Sequence, residues 1–196
     1  TASGNDVRNN GSFDATTNNQ LVTLNGSNIR GDFDDANGNA LYQLTVGGGS
    51  SSIFRGTVDV EDKFDAGIGQ VIIDTGANLT LLGSTPVAEF AGDLKRAGSG
   101  ELVTSREVNF NAGGGTTQAL EVSIPSNIAV ANNTTVRVDA NLTLGGAVDV
   151  TGELAFDDVS RVITLDGSFD IGGTGTLAFP TLRSSSGSQT FSSDVS

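Results

Sequence analysis

The sequence predicts an all-β protein, a right-handed β-solenoid with coils of about 21 residues. Three observations support this prediction. Apolar residues recur in pairs two positions apart, which places both side chains on one face of a strand. A phrase built from such pairs occurs twice, as LTLGGAVDVTGELAF from residue 142 and ITLDGSFDIGGTGTLAF from residue 163. The chain also holds 27 glycines and little helical spacing, a turn-rich composition.

The two copies of the phrase define one coil as three short strands and three corners. The apolar pairs are Leu142/Leu144, Val148/Val150 and Leu154/Phe156 in the first copy, and Ile163/Leu165, Phe169/Ile171 and Leu177/Phe179 in the second. Their alignment stacks Leu142 on Ile163 and predicts two inserted residues near Thr174 and Gly175. Glycine separates the pairs because a chain that turns this often needs residues that tolerate positive φ. These corner glycines are Gly146, Gly152, Gly167 and Gly173.

Two architectures can use strands of three residues. In an antiparallel sandwich such strands lie at the lower limit of strand length and bury little surface. In a solenoid each strand pairs in parallel with the same word one coil away, and the inner side chains stack into a continuous core. Because only the solenoid explains the repeat length, we predict it, and a jelly-roll β-sandwich with pilin-like strand exchange is the alternative.

The composition divides the chain into three parts. Residues 1–40 are predicted to be an N-terminal strand and cap region, and residues 41–182 the solenoid. Residues 89–111 carry no regular apolar pairs, so we predict an irregular excursion there, with 89–97 as the best helical candidate. Residues 183–196 form a Ser-rich C-terminal tail.

Several phrases carry a resemblance to a known class of proteins. ALYQLTVGGG, GANLTLLG and NNTTVRVDANLTLGGAVDVTGELAF resemble the repeats of secreted bacterial surface proteins with right-handed β-helices, such as autotransporter passengers and filamentous-haemagglutinin-like adhesins. The resemblance covers residues 41–179 and lies in the style of the repeat. It implies export and a role in adhesion, surface coats or appendages. A minority of such proteins are polysaccharide lyases or hydrolases.

The chain is strongly acidic, with 23 Asp and Glu against 10 Lys and Arg and a net charge of −13. Such a surface repels phosphate backbones, so we expect no nucleic-acid partner. The sequence contains no run of 18 apolar residues, so we expect no membrane insertion.

The residue types that dominate hydrolase chemistry are missing. The chain holds no His and no Cys, so Ser-His-Asp and Cys-His arrangements cannot form. A carboxylate pair of glycosidase type remains possible. The tight acidic clusters that could supply it are Asp32/Asp34/Asp35 and Asp157/Asp158. Both clusters lie in turn-like sequence where solvated acids are expected, so we predict that the protein is not an enzyme.

An acidic stretch near residue 35 is the candidate metal site, and calcium is the candidate cofactor because it prefers several oxygen ligands. The ligands offered beside a glycine turn are Asp32, Asp34, Asp35 and Asn37. The stretch does not fit EF-hand spacing, and an Asx-rich turn without metal is the alternative. The repeat also predicts that Asp149 and Asp170 face outward one strand spacing apart, a like-charge pair that a cation could bridge.

Six positions match the acceptor pattern for N-glycosylation, Asn-x-Ser/Thr. They are Asn10, Asn25, Asn78, Asn132, Asn133 and Asn141. In a chain rich in Asn, Ser and Thr such matches also arise by chance. The pattern therefore predicts candidate sites for a source cell that has the glycosylation machinery.

Together these features predict an extracellular or cell-surface structural protein, a self-assembling filament subunit with an adhesive role. Its expected partners are further copies of itself, joined head to tail, and surface glycans. A solenoid exposes unpaired N–H and C=O groups at each end, so we expect terminal strands within 13–24 or 189–195 to complete a neighbouring copy. The alternatives are a carbohydrate-binding or carbohydrate-cleaving β-helix protein and a segment of a longer solenoid.

Overall fold

The computed structural model describes residues 2–3, 6–9, 19–31, 33–34, 36, 38–47, 49, 51–166, 169–178, 181–186 and 189–191. The regular elements of this part of the chain are 25 strands, numbered β1 to β25, which pair in parallel. The same strand of successive coils pairs about 21 residues apart, so the predicted β-solenoid is confirmed. Its right-handed winding stays a prediction. None of the described residues forms a helix long and apolar enough to cross a membrane.

The first two faces of the solenoid are unbroken parallel sheets. The ten strands of the first face are β1 (Ala2–Ser3), β3 (Leu21–Asn25), β5 (Gln43–Gly47), β8 (Phe64–Ala66), β11 (Ala88–Phe90), β14 (Val108–Phe110), β16 (Ile128–Val130), β19 (Val148–Val150), β22 (Phe169–Gly172) and β25 (Gln189–Phe191). The nine strands of the second face are β2 (Val7–Asn9), β4 (Ile29–Gly31), β6 (Ser52–Arg55), β9 (Val71–Ile73), β12 (Leu94–Arg96), β15 (Thr116–Leu120), β17 (Thr134–Val138), β20 (Glu153–Phe156) and β23 (Thr176–Leu177). Spatial order follows chain order because neighbours come from successive coils.

The third face is divided into two sheets of three strands each. The strands of the first are β7 (Thr57–Val60), β10 (Asn78–Leu81) and β13 (Glu101–Thr104), and those of the second are β18 (Leu142–Leu144), β21 (Ile163–Asp166) and β24 (Leu182–Ser186). Between β13 and β18 the coil contributes a single bridge, from Ile124 to Leu144. The third face is therefore interrupted where the other two are continuous.

Alternating residues of the strands point inward and fill one continuous core. In β14, Val108 and Phe110 are fully buried while Asn109 between them is half-buried. Three phenylalanine rings stack along the axis, with centroids 5.1 Å apart for Phe64 and Phe90 and 5.8 Å apart for Phe90 and Phe110. Burial of these stacked apolar side chains drives folding of the coil.

Glycine corners allow successive coils to approach to one strand spacing. Gly173 has a φ of 115°, and a Cβ at this position would collide with the backbone of Val150. A Cβ at Gly152 would collide with the carbonyl oxygens of Ala131 and Thr134. Glycine is thus required at these two predicted corners, by close contact between coils at both and by positive φ at the first.

The coil repeat has its inserted residues in a different place from the prediction. β18 pairs with β21 at the predicted spacing of 21 residues. Val148 then pairs with Ile171 instead of Phe169. The two extra residues therefore lie between β21 and Ile171, not near Thr174, because the turn before β22 is longer.

The predicted like-charge pair of Asp149 and Asp170 is wrong for the same reason. Asp149 lies opposite Gly172 on one side and opposite Ala129 on the other. The shifted register thus separates the two carboxylates, and no bridging cation is needed between them.

Residues 89–111, predicted to leave the coil, are part of it. Strands β11 to β14 cover this stretch and pair with the coils on both sides. The helix considered for 89–97 is also wrong, because β11 and β12 occupy this segment. Thr104 and Arg106 take buried positions here, and these polar residues interrupt the apolar alternation that the sequence analysis relied on.

The coil also continues on both sides of residues 41–182. β3 and β4 lie within residues 1–40 and pair with β5 and β6. At the other end β24 and β25 pair with β21 and β22. Ser-rich sequence forms strands here because the pairing uses backbone groups, which serine supplies as well as any residue except proline.

Candidate functional sites

The ends of the described solenoid present open sheet edges. In the ten-stranded sheet the edge strands are β1 and β25, and in the nine-stranded sheet they are β2 and β23. Each of these strands pairs on one side, so the backbone N–H and C=O groups of its other side face outward. Such a row can accept a further parallel strand in the register of the existing ladder.

The strands expected to be exchanged between copies lie within the protein's own sheets. Residues 21–25 form β3, which pairs with β1 and with β5. Residues 189–191 form β25, which pairs with β22. The segments 13–18 and 192–195 lie outside the described residues. Exchange through β3 is therefore replaced by contact between complete coils as the way in which two copies could join.

The acidic stretch predicted to bind calcium leaves the third face as a loop. Phe33 and Leu41 both form bridges to β7, and the loop lies between them. Asp59 of β7 lies between the two bridged positions and is 6% exposed, a buried carboxylate beside the loop that the sequence analysis did not consider. Asp34 is the candidate ligand among the described residues. The candidates outside them are Asp32, Asp35 and Asn37.

Asp34 makes the contacts of a turn. Its Oδ1 accepts the N–H of Ala36 at 2.8 Å, and its backbone carbonyl accepts the N–H of Asn39 at 3.0 Å. These bonds are typical of an Asx turn. The residues that the structure describes contain no group of three or more Asp and Glu side chains placed to hold a metal ion. Calcium binding by this loop stays a prediction.

Three of the candidate glycosylation sites are exposed. Asn132 and Asn133 lie at the corner between β16 and β17, and Asn141 directly precedes β18. The other candidates are Asn25 in β3 and Asn78 in β10, which are half-buried, and Asn10, which lies outside the described residues. A bulky glycan needs an exposed acceptor, so the first three are the better candidates.

The second predicted acidic cluster lies in the loop between β20 and β21. Arg161 donates two hydrogen bonds to Asp157, of 2.8 and 2.9 Å, and they hold the pKa of that carboxyl below its usual range. The backbone N–H of Ser160 donates to Asp158 at 2.8 Å and lowers its pKa as well. A general acid in glycoside hydrolysis needs a raised pKa, so this pair is poorly suited to that role.

An arginine column on the second face is a feature that the sequence analysis missed. Arg8, Arg30 and Arg55 are register partners on three successive coils, so their backbones repeat at about 4.8 Å. Asp6 pairs with Arg8 at 3.2 Å and with Arg30 at 2.6 Å, and Asp74 pairs with Arg55 at 2.7 Å. These carboxylates offset the repulsion between neighbouring like charges.

The arginine column and its neighbours also keep the two carboxylates ionised. A hydrogen bond from the Asn28 amide, together with the positive charge of the column, lowers the pKa of Asp6. Hydrogen bonds from the backbone N–H of Thr75 and from Arg55 lower the pKa of Asp74. The partners in the column are 22 and 25 residues apart, so only the coil register reveals them.

A carboxylate pair on the first face was also missed. Asp65 and Glu89 are register partners on β8 and β11. Lys63 lies 3.2 Å from Asp65, and the amides of Asn109 and Asn111 donate to Glu89 at 2.9 and 2.6 Å. Each carboxylate thus has its own donor, which makes the pair tolerable on an open sheet face.

Arg106 is fully buried and links three successive coils. Its Nε donates to the carbonyl of Leu82 at 2.8 Å. Its Nη2 donates to the carbonyls of Glu61 at 2.6 Å and Val60 at 3.1 Å, and its Nη1 donates to that of Asp62. Burial lowers the pKa of the guanidinium, and the negative charge of Asp62 opposes that shift. The side chain therefore satisfies backbone groups along the axis.

Comparison of the chain with protein-family models, with curated proteins and with solved structures finds no match. We therefore base the functional proposal on the open sheet edges, the contacts along the axis and the surface charges.

Proposed function

We propose that the protein is an extracellular structural protein, a rod-like subunit of a surface layer or appendage that assembles end to end. The observation that carries this proposal is the pair of open edges of the ten-stranded sheet, at β1 and β25. In a solenoid each coil contacts its neighbours only. A second copy placed on an open edge can therefore make the same backbone contacts that an internal coil makes.

Contacts that run along the axis support a mechanical role. The phenylalanine stack, Arg106 and the arginine column each connect two or three successive coils. Separating two coils requires breaking all of these contacts together with the three backbone ladders. Such a rod resists bending and extension without needing a catalytic site.

The two ends present different strands, which has a consequence for assembly. Contact between β25 of one copy and β1 of the next is heterologous, and such contacts propagate into a filament unless rotation closes a ring. The net charge of −13 opposes sideways clustering of the rods. The same edges would equally accept further coils of a longer chain, which gives a longer rod of the same kind. The likeness of the repeat phrases to secreted surface proteins supports an extracellular location.

Light scattering of the purified chain tests the proposal. We expect the mass to rise with concentration to multiples of 19.9 kDa. Thr190→Lys places a charge in edge strand β25 and should reduce the mass toward that of a monomer, since lysine on an edge opposes strand addition. The matched control is Thr117→Lys, the same substitution at an exposed position of interior strand β15, which should leave assembly unchanged.

Two outcomes would contradict end-to-end assembly. One is a monodisperse 19.9 kDa species at every concentration. The other is an equal loss of mass in both lysine variants while circular dichroism shows that both keep their β-structure, because that result would place the contact away from the edge strands.

A further inference from the structure

A groove on the third face lies where its ladder is interrupted. One sheet of this face ends at β13, and the next begins at β18. Among the described residues, the coil between them contributes one bridge, from Ile124 to Leu144. The groove over this interruption has a volume of about 380 Å³, which is within the range of small-molecule sites.

Polar groups of both signs line the groove. The lining residues that matter most are Arg96, Glu101, Leu102, Ser123, Thr143 and Asp166. They come from four successive coils, so the groove runs along the axis of the rod and crosses the interruption.

Arg96 occupies a position that the preceding coil fills with a core residue. Its register partner is Ile73, which is fully buried, whereas Arg96 is half-buried and lines the groove. Among the described residues no carboxylate lies within 4.0 Å of Arg96, although Arg55 and Arg161 both have one. Its guanidinium therefore offers free hydrogen-bond donors at one end of the groove.

The edge strand β13 adds backbone groups to this set. The N–H of Glu101 donates to the carbonyl of Ala77, toward β10, at 3.0 Å. Successive residues of a parallel strand direct their peptide groups to opposite sides. The N–H and C=O of Leu102 thus face the groove, where no strand pairs with β13.

The rest of the lining supplies hydroxyl groups, carboxylates and an apolar base. Ser123 Oγ accepts the N–H of Thr143 at 2.9 Å, which leaves its own hydrogen to donate. Glu101 and Asp166 are exposed carboxylates, which accept hydrogen bonds. Val122 at the base is buried and apolar. Donors, acceptors and an apolar surface thus alternate within one groove.

A peptide strand does not fit the interruption. Val108 pairs with Ala88 on the first face, and Leu120 pairs with Leu94 on the second. These pairs hold the two coils one strand spacing apart, about 4.8 Å, whereas an inserted strand would require twice that distance. The occupant therefore lies in the groove and does not complete the sheet.

We propose that this groove binds an uncharged saccharide, a mono- or disaccharide unit of a glycan. Each sugar hydroxyl both donates and accepts, so it can match the guanidinium of Arg96, the carboxylates of Glu101 and Asp166, and the peptide groups of Leu102. The C–H face of the ring matches the apolar base. One cation faces two carboxylates here, and the chain carries a net charge of −13, so a carboxylated sugar is disfavoured.

Calorimetric titration with disaccharides tests the proposal. Cellobiose, maltose and N,N′-diacetylchitobiose serve as uncharged probes, and digalacturonate serves as the carboxylated probe. We expect at least one uncharged probe to bind with a Kd on the order of 1 mM or below. Arg96→Ala should weaken this binding about tenfold, since it removes charge-assisted hydrogen bonds.

The matched control is Lys95→Ala, which removes the adjacent cation on the same strand. Lys95 pairs with Asp93 and does not line the groove, so binding should change less than about twofold. The proposal is overturned if no uncharged probe binds, if digalacturonate binds more tightly, or if both variants weaken binding equally. Light scattering reports assembly separately, so failure of the saccharide site and failure of the rod proposal are distinguishable.

Discussion

The continuous faces of the solenoid and its interrupted third face come from the same coils but obey different constraints. The first two faces form unbroken ladders of ten and nine strands, whereas the third consists of two separate sheets. The acidic loop between Phe33 and Leu41 leaves the third face, the loop at 157–162 leads into it, and the groove crosses it. Continuity of the rod thus rests on two faces, and the third is free to vary in length and to carry surface features.

The largest predicted effect compares the phenylalanine stack with the interrupted face. Phe90→Ala removes the central ring of the stack and should lower the free energy of unfolding by about 3–5 kcal/mol. Leu102→Ala removes a buried side chain beside the groove and should cost about 2–3 kcal/mol, because the interruption allows the site to relax. Urea unfolding followed by circular dichroism measures both.

Val103→Ala is the control on the same strand, because Val103 is 44% exposed. It should change stability by less than about 0.5 kcal/mol. An equal cost for the first two variants would show that the interrupted face stabilises the coil as much as the continuous one.

The second prediction concerns the buried guanidinium. Arg106→Leu leaves the carbonyls of Val60, Glu61 and Leu82 without their donor and should cost about 3 kcal/mol, since buried acceptors lose their hydrogen bonds. Arg183→Leu, at an exposed position of β24, should change little. Thermal unfolding of the two variants provides the comparison, and an unchanged melting temperature for Arg106→Leu would show that water replaces the lost donors.

The third prediction separates two reasons for glycine at a corner. Gly152→Ala forces a methyl group against the backbone of the preceding coil and should cost about 1–3 kcal/mol or more. Gly76→Ala meets no atom within 4 Å but must keep a φ of 70°, so it should cost about 1 kcal/mol. Equal costs in urea unfolding would mean that φ alone, and not the approach of the coils, selects glycine.

The smallest effect is a dependence on acid. Asp6, Asp74, Asp157 and Asp158 have pKa values lowered by hydrogen bonds and, for three of them, nearby arginines. Their contribution is complete above the unfolded pKa of about 3.9 and is lost as the pH falls through the lower folded values. The melting temperature should therefore fall between about pH 4 and about pH 2, and Asp74→Asn should flatten that fall. A rise on acidification would show that relief of the net negative charge dominates.

The sequence predicted the coil because apolar spacing alone determines which face a strand residue occupies. The spacing of 21 residues between β18 and β21 follows from two nearly identical words. The register of the next pair was missed because Val148 and Val150 match Phe169 and Ile171 in pattern, while the longer turn before β22 shifts the pairing by two residues. A shift of two keeps the same face inward, so hydrophobicity cannot detect it.

The candidate sites were harder to predict, because they depend on neighbours in the coil register and on polar residues in core positions. Arg96 and Arg106 disguised the stretch 89–111 as irregular, although one lines the groove and the other satisfies buried carbonyls. The arginine column needs two register assignments over 22 and 25 residues. No local motif encodes either feature, since both arise only when the coils stack.

The central claim is that copies stack with β25 of one beside β1 of the next, and single-cysteine crosslinking tests it most directly. The chain has no cysteine, so Ser3→Cys in β1 and Thr190→Cys in β25 each supply a lone thiol. Adjacent strands hold Cα atoms about 5 Å apart, within the range of a disulfide. We predict that oxidation of a mixture of the two variants yields mainly the disulfide-linked heterodimer. Equal yields of heterodimer and homodimers, or no crosslink at all, would contradict end-to-end stacking.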